Sequence, residues 1–394
     1  MLDCGIIKLV SVGDICNVSR GASPRPIKKY LTQSGEGVPW IKIGDVSPFD
    51  KYIKKTNERI TQEGAKKSRF LHKGDLILSN SMSFGRPYIL EIDGCIHDGW
   101  ISLSGFENYV LRDFLYEVLN TKCVQDYWAM KANNGGAMSN LNSDIVKSTI
   151  IKIPSLNVQE EIVKILDSFT NLIDALNEEL SLRQKQFEYY REKLLTFDDN
   201  VYLMSLGDCC VIKGRIGFRG YTIKDQVNKG EGAISLSPGN ISEGIINYNQ
   251  CTYISWDKYY ESPEIMINNG DIIFCKTASV GKVAVINDLP CEATINPQLV
   301  VLKEININKK YLYYYLSSNS IQNKVKSLAG VGSVPNISQS ILNDLDISVP
   351  SSQVMKSIVE KLDAFESLIS SLKEEIALRQ KQYEYYREKL LTFD

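Results

Sequence analysis

The chain has 394 residues, enough for two or three folded units at about 150 residues each. With 43% hydrophobic and 23% charged residues it can build a core, which excludes disorder for most of its length, and its apolar runs fall far short of a membrane span of about 20 residues. Nine cysteines without a Cys-x-x-Cys pair and only two histidines, His72 and His97, exclude a disulfide scaffold, a zinc ribbon and a histidine-rich metal centre. They point to free thiols in a reducing cytoplasm, and the acid in Met1-Leu-Asp-Cys-Gly stands where a secretory signal carries bases. The net charge of −2 conceals a gradient: 19 bases face 16 acids in residues 1–150, 5 face 10 in 155–200, and 13 face 13 in 201–350.

In chain order, strands are expected at Pro39–Ile43, Asp75–Leu78 and Pro87–Leu90, followed by a helix at about Leu111–Lys131. Residues 51–73 hold eight bases and two acids, a local charge that a phosphate backbone would feel and that a solvated loop would also show. The polar, glycine-bearing turns Ser19–Arg25 and Ser79–Arg86 flank these elements. Beyond Pro154, Ile162, Leu166, Phe169, Ile173, Leu176, Leu180, Arg183, Phe187, Tyr190 and Leu194 step by four and three, a heptad seam sustained for more than four heptads. Asn157 with Glu160 offers its N-cap and capping box. A second globular region follows, with strands expected at Asp271–Phe274 and Lys282–Ile286, a polar turn at Lys276–Lys282 and a helix at about Lys309–Leu328. The chain closes on a second heptad seam, Ile358, Leu362, Phe365, Ile369, Leu372, Ile376, Arg379, Tyr383, Tyr386 and Leu390.

The second seam repeats the first. Leu182 to Asp198 recurs as Leu378 to Asp394 with one change in 17 positions, Phe187 to Tyr383. The same offset aligns Pro154 with Pro350 and, more faintly, Gly74-Asp75 with Gly270-Asp271, Ser83 with Ser279, Gly85 with Gly281 and Asn140 with Asn336. The expected architecture is α+β: two mixed α/β domains at 1–153 and 199–349, separated by two helices at 154–198 and 350–394 paired as an antiparallel coiled coil, with pseudo-two-fold repetition. A parallel pair would need a connection as long as the helix, and the link Asp199–Ser205 is short. Each helix of about 40 residues would run on the order of 60 Å. Arg183 and Arg379 sit in the seam, either fixing register through a glutamate on the opposite helix or snorkelling out. The tails stay alike while the globular regions have diverged, as expected if one kind of partner binds twice. For that docking we select Glu188, Tyr189, Arg191, Glu192 and Lys193 with Glu384, Tyr385, Arg387, Glu388 and Lys389.

Catalytic signatures are missing from the sequence. Gly281-Lys282 lacks the rest of a phosphate loop, Asn296-Pro297-Gln298 breaks the pattern of an amino-methyltransferase, and no Gly-x-Ser-x-Gly elbow occurs. Asp271 with Lys276 matches a fragment of a nuclease site without its second carboxylate. Cys209-Cys210 reads as strand packing.

The order of motifs resembles the specificity subunits of type I restriction-modification systems over essentially the whole chain. The residues that carry this are Gly21-Ala-Ser-Pro24, Val38-Pro-Trp-Ile-Lys-Ile-Gly-Asp45, Ile60-Thr-Gln-Glu-Gly64 with Ser68, Gly74–Ser79 with Phe84-Gly-Arg86, Gly135-Gly136 with Asn140-Leu141, and Gln159-Glu-Glu-Ile162. The second globular region contributes Ile295-Asn-Pro-Gln298 and Val334-Pro-Asn336 but has Ala233–Ser237 in place of the Pro-Trp-Ile segment. The resemblance implies two target-recognition domains reading the halves of a bipartite, asymmetric sequence on double-stranded DNA. The helices would set the spacer and dock two methyltransferase (modification) subunits, with motor-nuclease subunits joining in the full complex. No cofactor is expected in this chain; S-adenosylmethionine, ATP and Mg would belong to the partners, and catalysis with them. A helix of on the order of 60 Å exceeds the ~34 Å of one DNA turn. Polar side chains on such turns suit phosphate contact and base-edge reading. For DNA contact we select Arg20, Ser23, Arg25, Lys42, Ser68, Arg69, Asn80, Ser83 and Arg86 in the first globular region. In the second we select Arg215, Arg219, Tyr221, Lys276, Thr277, Ser279 and Lys282. Each has a turn or core role as the competing reading. The rival functions are a coiled-coil scaffold that tethers proteins, separable by salt-dependent, sequence-selective DNA binding, and a stand-alone enzyme.

Overall fold

A computed structural model describes residues 7–47, 50–80, 84–133, 140–198, 200–330 and 334–393. The chain forms two compact units, residues 1–177 with 374–394, and residues 178–373. Each therefore combines one globular region with a segment of both long helices.

In the first unit, strands Asn17–Arg20, Trp100–Ser104, Leu76–Ser79, Pro87–Leu90 and Tyr52–Ile53 form one sheet in that spatial order. A second sheet runs Leu31–Thr32, Glu58–Ile60, Val38–Ile41, Gly94–Ile96, Arg69–Leu71. Side chains of the first sheet alternate between two cores. Leu76, Leu78, Ile89, Ile101 and Leu103 pack with Phe114, Leu115 and Val118 of the helical layer. Ile77, Tyr88, Leu90 and Trp100 pack with Ile41 and Ile96 of the second sheet. Cover on both faces explains why these strands read as unbroken apolar runs rather than alternating ones. The second unit repeats the scheme with four-stranded sheets: Ile272, Phe274, Val300 and Leu302 face helices, while Ile273, Cys275, Leu299 and Val301 face the other sheet.

The helix expected over 111–131 is two helices, Arg112–Leu119 and Lys122–Asn133. Thr121 causes the break, turning its hydroxyl back to the Val118 carbonyl at 2.7 Å. The helix expected over 309–328 is likewise split, into Lys309–Ser317 and Asn319–Leu328. There Ser318 adopts extended backbone, and its hydroxyl both accepts from the Ile321 amide and donates to the Tyr315 carbonyl.

The long helices span Leu156–Leu195 and Ser352–Leu391. Asn157 lies inside the first turn rather than capping it; the first helical acceptor is the Ser155 carbonyl, which takes the Gln159 amide. At the second helix Ser351 has that role, and its hydroxyl also accepts from Val354. The pairing is antiparallel. In the first unit Phe169 stacks on Tyr386 with centroids 5.3 Å apart, and in the second Tyr190 stacks on Phe365 at 5.4 Å. The seam arginines do not bridge the helices: Arg183 binds Glu179 and Gln186, and Arg379 binds Glu375 and Gln382, each on its own helix. A guanidinium four residues from a glutamate finds its partner locally, at less entropic cost than across the seam.

Among the described residues no helix is long and apolar enough to cross a membrane.

Candidate DNA interface

The first unit gathers its polar loops on the turn 97–99, between strands Gly94–Ile96 and Trp100–Ser104. Arg20 Nε and Asn80 Nδ2 both donate to the Asp98 carbonyl, at 3.0 and 2.9 Å. Ser23 Oγ donates to the Asp98 carboxylate at 2.8 Å, and Arg25 lies 3.5 Å from it with most of its side chain in solvent. His97 Nδ1 accepts the Gly99 amide, which leaves Nε2 to carry the proton facing Asp98 at 3.0 Å. Burial pushes the Asp98 carboxyl up, but the Ser23 hydroxyl, with the His97 ring and the Arg20 guanidinium beside it, outweighs this and holds the carboxyl below its ordinary value. One step outward, Arg69 Nε donates to the Arg20 carbonyl and Ser68 Oγ to the Ala22 carbonyl.

The joint requires glycine at position 21. Its amide bonds the Trp100 carbonyl at 2.8 Å, and a Cβ there would lie 2.1 Å from the His97 carbonyl oxygen.

The second unit builds the same joint with other side chains. The Asn80 amide donates to the Gly99 carbonyl and the Lys276 amide to the Gln298 carbonyl; Leu141 then donates to the Asn80 carbonyl as Ile337 does to that of Lys276. The Ser79 amide donates to the Arg86 carbonyl as the Cys275 amide does to that of Lys282. Arg20 ends its strand opposite Ile101 as Gly214 does opposite Val300, so Arg215 stands one residue further on, bonded to Thr294 and Ile295 of the parallel-paired strand itself. The structure thus equates Arg20 with Gly214, Asn80 with Lys276 and Arg86 with Lys282. The helical support matches as well, since Gln125 bonds the Gly85 and Leu119 carbonyls just as Gln322 bonds those of Gly281 and Leu316.

Several selected residues are already committed within the fold. Lys42 pairs with Glu58 at 2.6 Å beside the second sheet, and its neighbour Ile41 accepts the His97 amide. Arg215 is 5% exposed: it donates to the carbonyls of Ile295 and Arg219 and to Thr294, and lies over the Tyr221 ring. Lys282 Nζ holds the Pro238 and Ile241 carbonyls. Arg219 binds Glu264, Tyr221 accepts from Ser235, and Thr277 bonds Asn336 at 2.7 Å. Ser279 offers its carbonyl to the Lys282 amide. Ser83 lies outside the described residues. Asp271 pairs with Lys303 at 2.8 Å rather than with Lys276, removing the nuclease-like fragment. The Asp-Gly dipeptide 98–99 was the available signal for the organising turn.

The tail residues divide into two sets. Glu388 accepts the Lys122 amide at 3.0 Å, capping a helix of the first unit. Glu192 accepts the amides of Asn319 and Ser320 in the second unit. Arg191 and Arg387 are mostly buried and lie 5.3 Å over Phe187 and Tyr383. These four serve their own unit, so folding itself is one cause of the repeated sequence. Glu188, Tyr189 and Lys193 face solvent, as do Glu384, Tyr385 and Lys389. Tyr189 and Tyr385 are each 60% exposed, with Leu182 and Leu378 nearly the same.

No cluster of three or more His, Cys, Asp or Glu side chains suited to a metal occurs among the described residues. The family model for the type I restriction modification DNA specificity domain matches the chain twice, over residues 7–182 and 200–378. A putative type I restriction enzyme specificity subunit of Haemophilus influenzae is 32% identical over 100% of this chain and 97% of its own length. A type I restriction enzyme specificity subunit of Escherichia coli is 33% identical over 61% of this chain, which spans 60% of that relative. Among solved structures, a chain from a type I restriction-modification assembly has a TM-score of 0.63 at 16% identity, covering 98% of this chain and 97% of that one. The HsdS subunit of Thermoanaerobacter tengcongensis gives 0.52 at 17% identity with the same coverage. The doubled domain match, the full-length relative and the twice-built joint agree, and the chain belongs to the type I restriction-modification DNA specificity family.

Proposed function

We propose that this chain is the non-catalytic subunit that gives a type I restriction-modification complex its DNA sequence specificity. The domains at 1–153 and 199–349 each read one half of a bipartite, asymmetric target, and the helices at 154–198 and 350–394 set the spacing. One observation carries the reading. The two units place different side chains, Arg20, Asn80 and Arg86 against Gly214, Lys276 and Lys282, on one shared frame, as two readers of unlike half-sites require. Two methyltransferase subunits dock on the helices, and motor-nuclease subunits complete the assembly. S-adenosylmethionine, ATP and Mg are held by those partners.

In the first domain, Arg20, Ser23, Arg25, Ser68, Arg69, Asn80 and Arg86 form the reading edge, flanked by Lys42, and the sequence motif adds Ser83 to it. In the second, Lys276, Thr277 and Ser279 form it, while Arg215, Arg219, Tyr221 and Lys282 chiefly brace it. Modified-base sequencing of the host genome with and without this gene, the methyltransferase gene intact, tests the reading. One gapped adenine-methylation motif should vanish; an unchanged pattern with partner expression confirmed refutes it. Arg86→Ala should weaken recognition of one half-site by about tenfold or more, the scale of one base contact. Binding to oligonucleotides carrying changes in either half checks this, and equal loss at both halves contradicts the two-reader arrangement.

Glu188, Tyr189 and Lys193, with Glu384, Tyr385 and Lys389, form the two docking faces. Large exposed aromatics of this kind anchor interfaces, with truncation costing about 2 kcal/mol or more. Tyr189→Ala should shift the assembly toward one bound methyltransferase subunit, and Tyr189→Ala with Tyr385→Ala toward none, as native mass spectrometry would show.

A further inference from the structure

The two tails differ at one position in 17, and that position is matched by a change in the domain it meets. In the first unit Tyr383 is 7% exposed and donates its hydroxyl to Glu117 Oε2 at 2.7 Å. Glu117 is 1% exposed, and its other carboxylate oxygen has no hydrogen-bond partner. In the second unit Phe187 stands in the tyrosine's place. The position equivalent to Glu117 follows from the helical support: Gln125 binds the carbonyl of Leu119, and Gln322 that of Leu316. Two residues before Leu119 is Glu117; two before Leu316 is Tyr314. Its ring meets Phe187 edge-on at 6.3 Å, and its hydroxyl is taken by Asp363 at 2.7 Å. Tail hydroxyl and buried carboxylate thus occur together, and so do tail phenyl and domain tyrosine. The other grips described on the tails are the same in both: the arginine over the aromatic ring and the glutamate capping a helix.

We propose that residues 117 and 383 form an address that makes the first domain's seat accept the end of the second long helix and reject the near-identical end of the first helix offered by a second copy of this chain. A chain's own first tail cannot compete. Phe187 lies 25 residues beyond Ile162 on one continuous helix, about 38 Å at 1.5 Å per residue, and Ile162 is packed in the first unit. A second copy carries no such restraint, and its Phe187 would fill the seat by shape while leaving both Glu117 oxygens buried without a donor. Leaving a buried acceptor without its hydrogen bond corresponds to roughly tenfold or more in preference.

The test uses the full-length chain as an equal mixture of isotope-labelled and unlabelled copies, refolded together at high concentration and joined with a zero-length carbodiimide. Lys122, whose amide Glu388 caps, reports the occupant: a Lys122–Glu388 link marks the proper tail and a mixed-isotope Lys122–Glu192 link the wrong one. The two are distinguishable because cleavage before aspartate leaves the tails on residues 174–197 and 363–393, which differ upstream of Leu182 and Leu378. In the wild type the wrong link should be about tenfold rarer. Phe187→Tyr equips both tails with the hydroxyl, and Glu117→Leu with Tyr383→Phe makes a seat that takes either phenyl. Both variants should raise the wrong link several-fold. If the pair served only stability, the Glu117→Leu, Tyr383→Phe variant would fold and leave the ratio unchanged, and that result overturns the address. Wrong links as frequent as proper ones in the wild type overturn it without any variant, should either substitution prevent folding.

Discussion

Trp100→Ala should destabilise the first unit by about 3–5 kcal/mol, the range for deleting a buried indole. The side chain is fully buried between the two sheets, with its ring 5.6 Å from Tyr88 at a near-perpendicular angle. Its Nε1 donates to the Ile41 carbonyl at 3.1 Å, which keeps its bond from the His97 amide, so truncation also removes one hydrogen bond, at about 0.5–1.5 kcal/mol. At roughly 2–4 °C per kcal/mol for a unit of this size, the thermal transition of that unit should fall by on the order of 10 °C. Calorimetry should show it separating from the transition of the second unit, which holds none of these contacts. Trp100→Phe keeps the ring and loses the donor, and should cost distinctly less. A shift below about 3 °C for the alanine variant, less than this scale allows, would mean that the sheets are not braced here.

Gly21→Ala should abolish reading of one half-site while leaving the other intact. The added methyl would meet the His97 carbonyl oxygen at 2.1 Å, with main chain on both sides of the clash. Neither a rotamer nor a side-chain tip can relieve it, so the strand exit or the turn 97–99 must move. Overpacking of this kind costs about 1–3 kcal/mol. The larger consequence is positional. Arg20, Ser23, Arg25 and Asn80 all bond or pair with Asp98, so one shift displaces four side chains together. With each base contact contributing about 1–3 kcal/mol, binding to the cognate half should weaken by roughly a hundredfold or more. Titration against duplexes altered in one half at a time measures it. A uniform loss at both halves, or none, would show that the turn does not organise the first reader.

Features that repeat along the chain are legible in the sequence. The heptad seams announce both long helices, and the short link between repeats requires them to run antiparallel, as the Phe169–Tyr386 and Tyr190–Phe365 stacks show. Unbroken apolar runs mark the strands that are buried on both faces. What the sequence hides is fixed by partners distant in the chain. Glu192 reads as an exposed charge until the amides of Asn319 and Ser320 reach it from 127 and 128 residues away. Asp98 gathers donors from Arg20 and Ser23, 78 and 75 residues earlier; the Asp-Gly dipeptide marks the turn but not the donors that meet there. Lys42 shows the same effect: its ion pair with Glu58, 16 residues on, comes from the neighbouring strand and is not marked by the motif that holds it. The helix breaks at Thr121 and Ser318 depend on one hydroxyl each, too small a signal within a strong apolar period.

The joint that supports each reading edge is held by main-chain atoms. Amide 80 meets carbonyl 99 and amide 276 meets carbonyl 298, with asparagine in one case and lysine in the other. A bond between backbones is indifferent to the residue type that makes it, provided proline is avoided. Side chains along the edge can therefore be replaced with little penalty to folding, and a lineage can drift from one DNA target to another through intermediates that all remain folded. Stability is stored in the tryptophans, the apolar layers and the clasped helix ends, while novelty accumulates where stability is not kept.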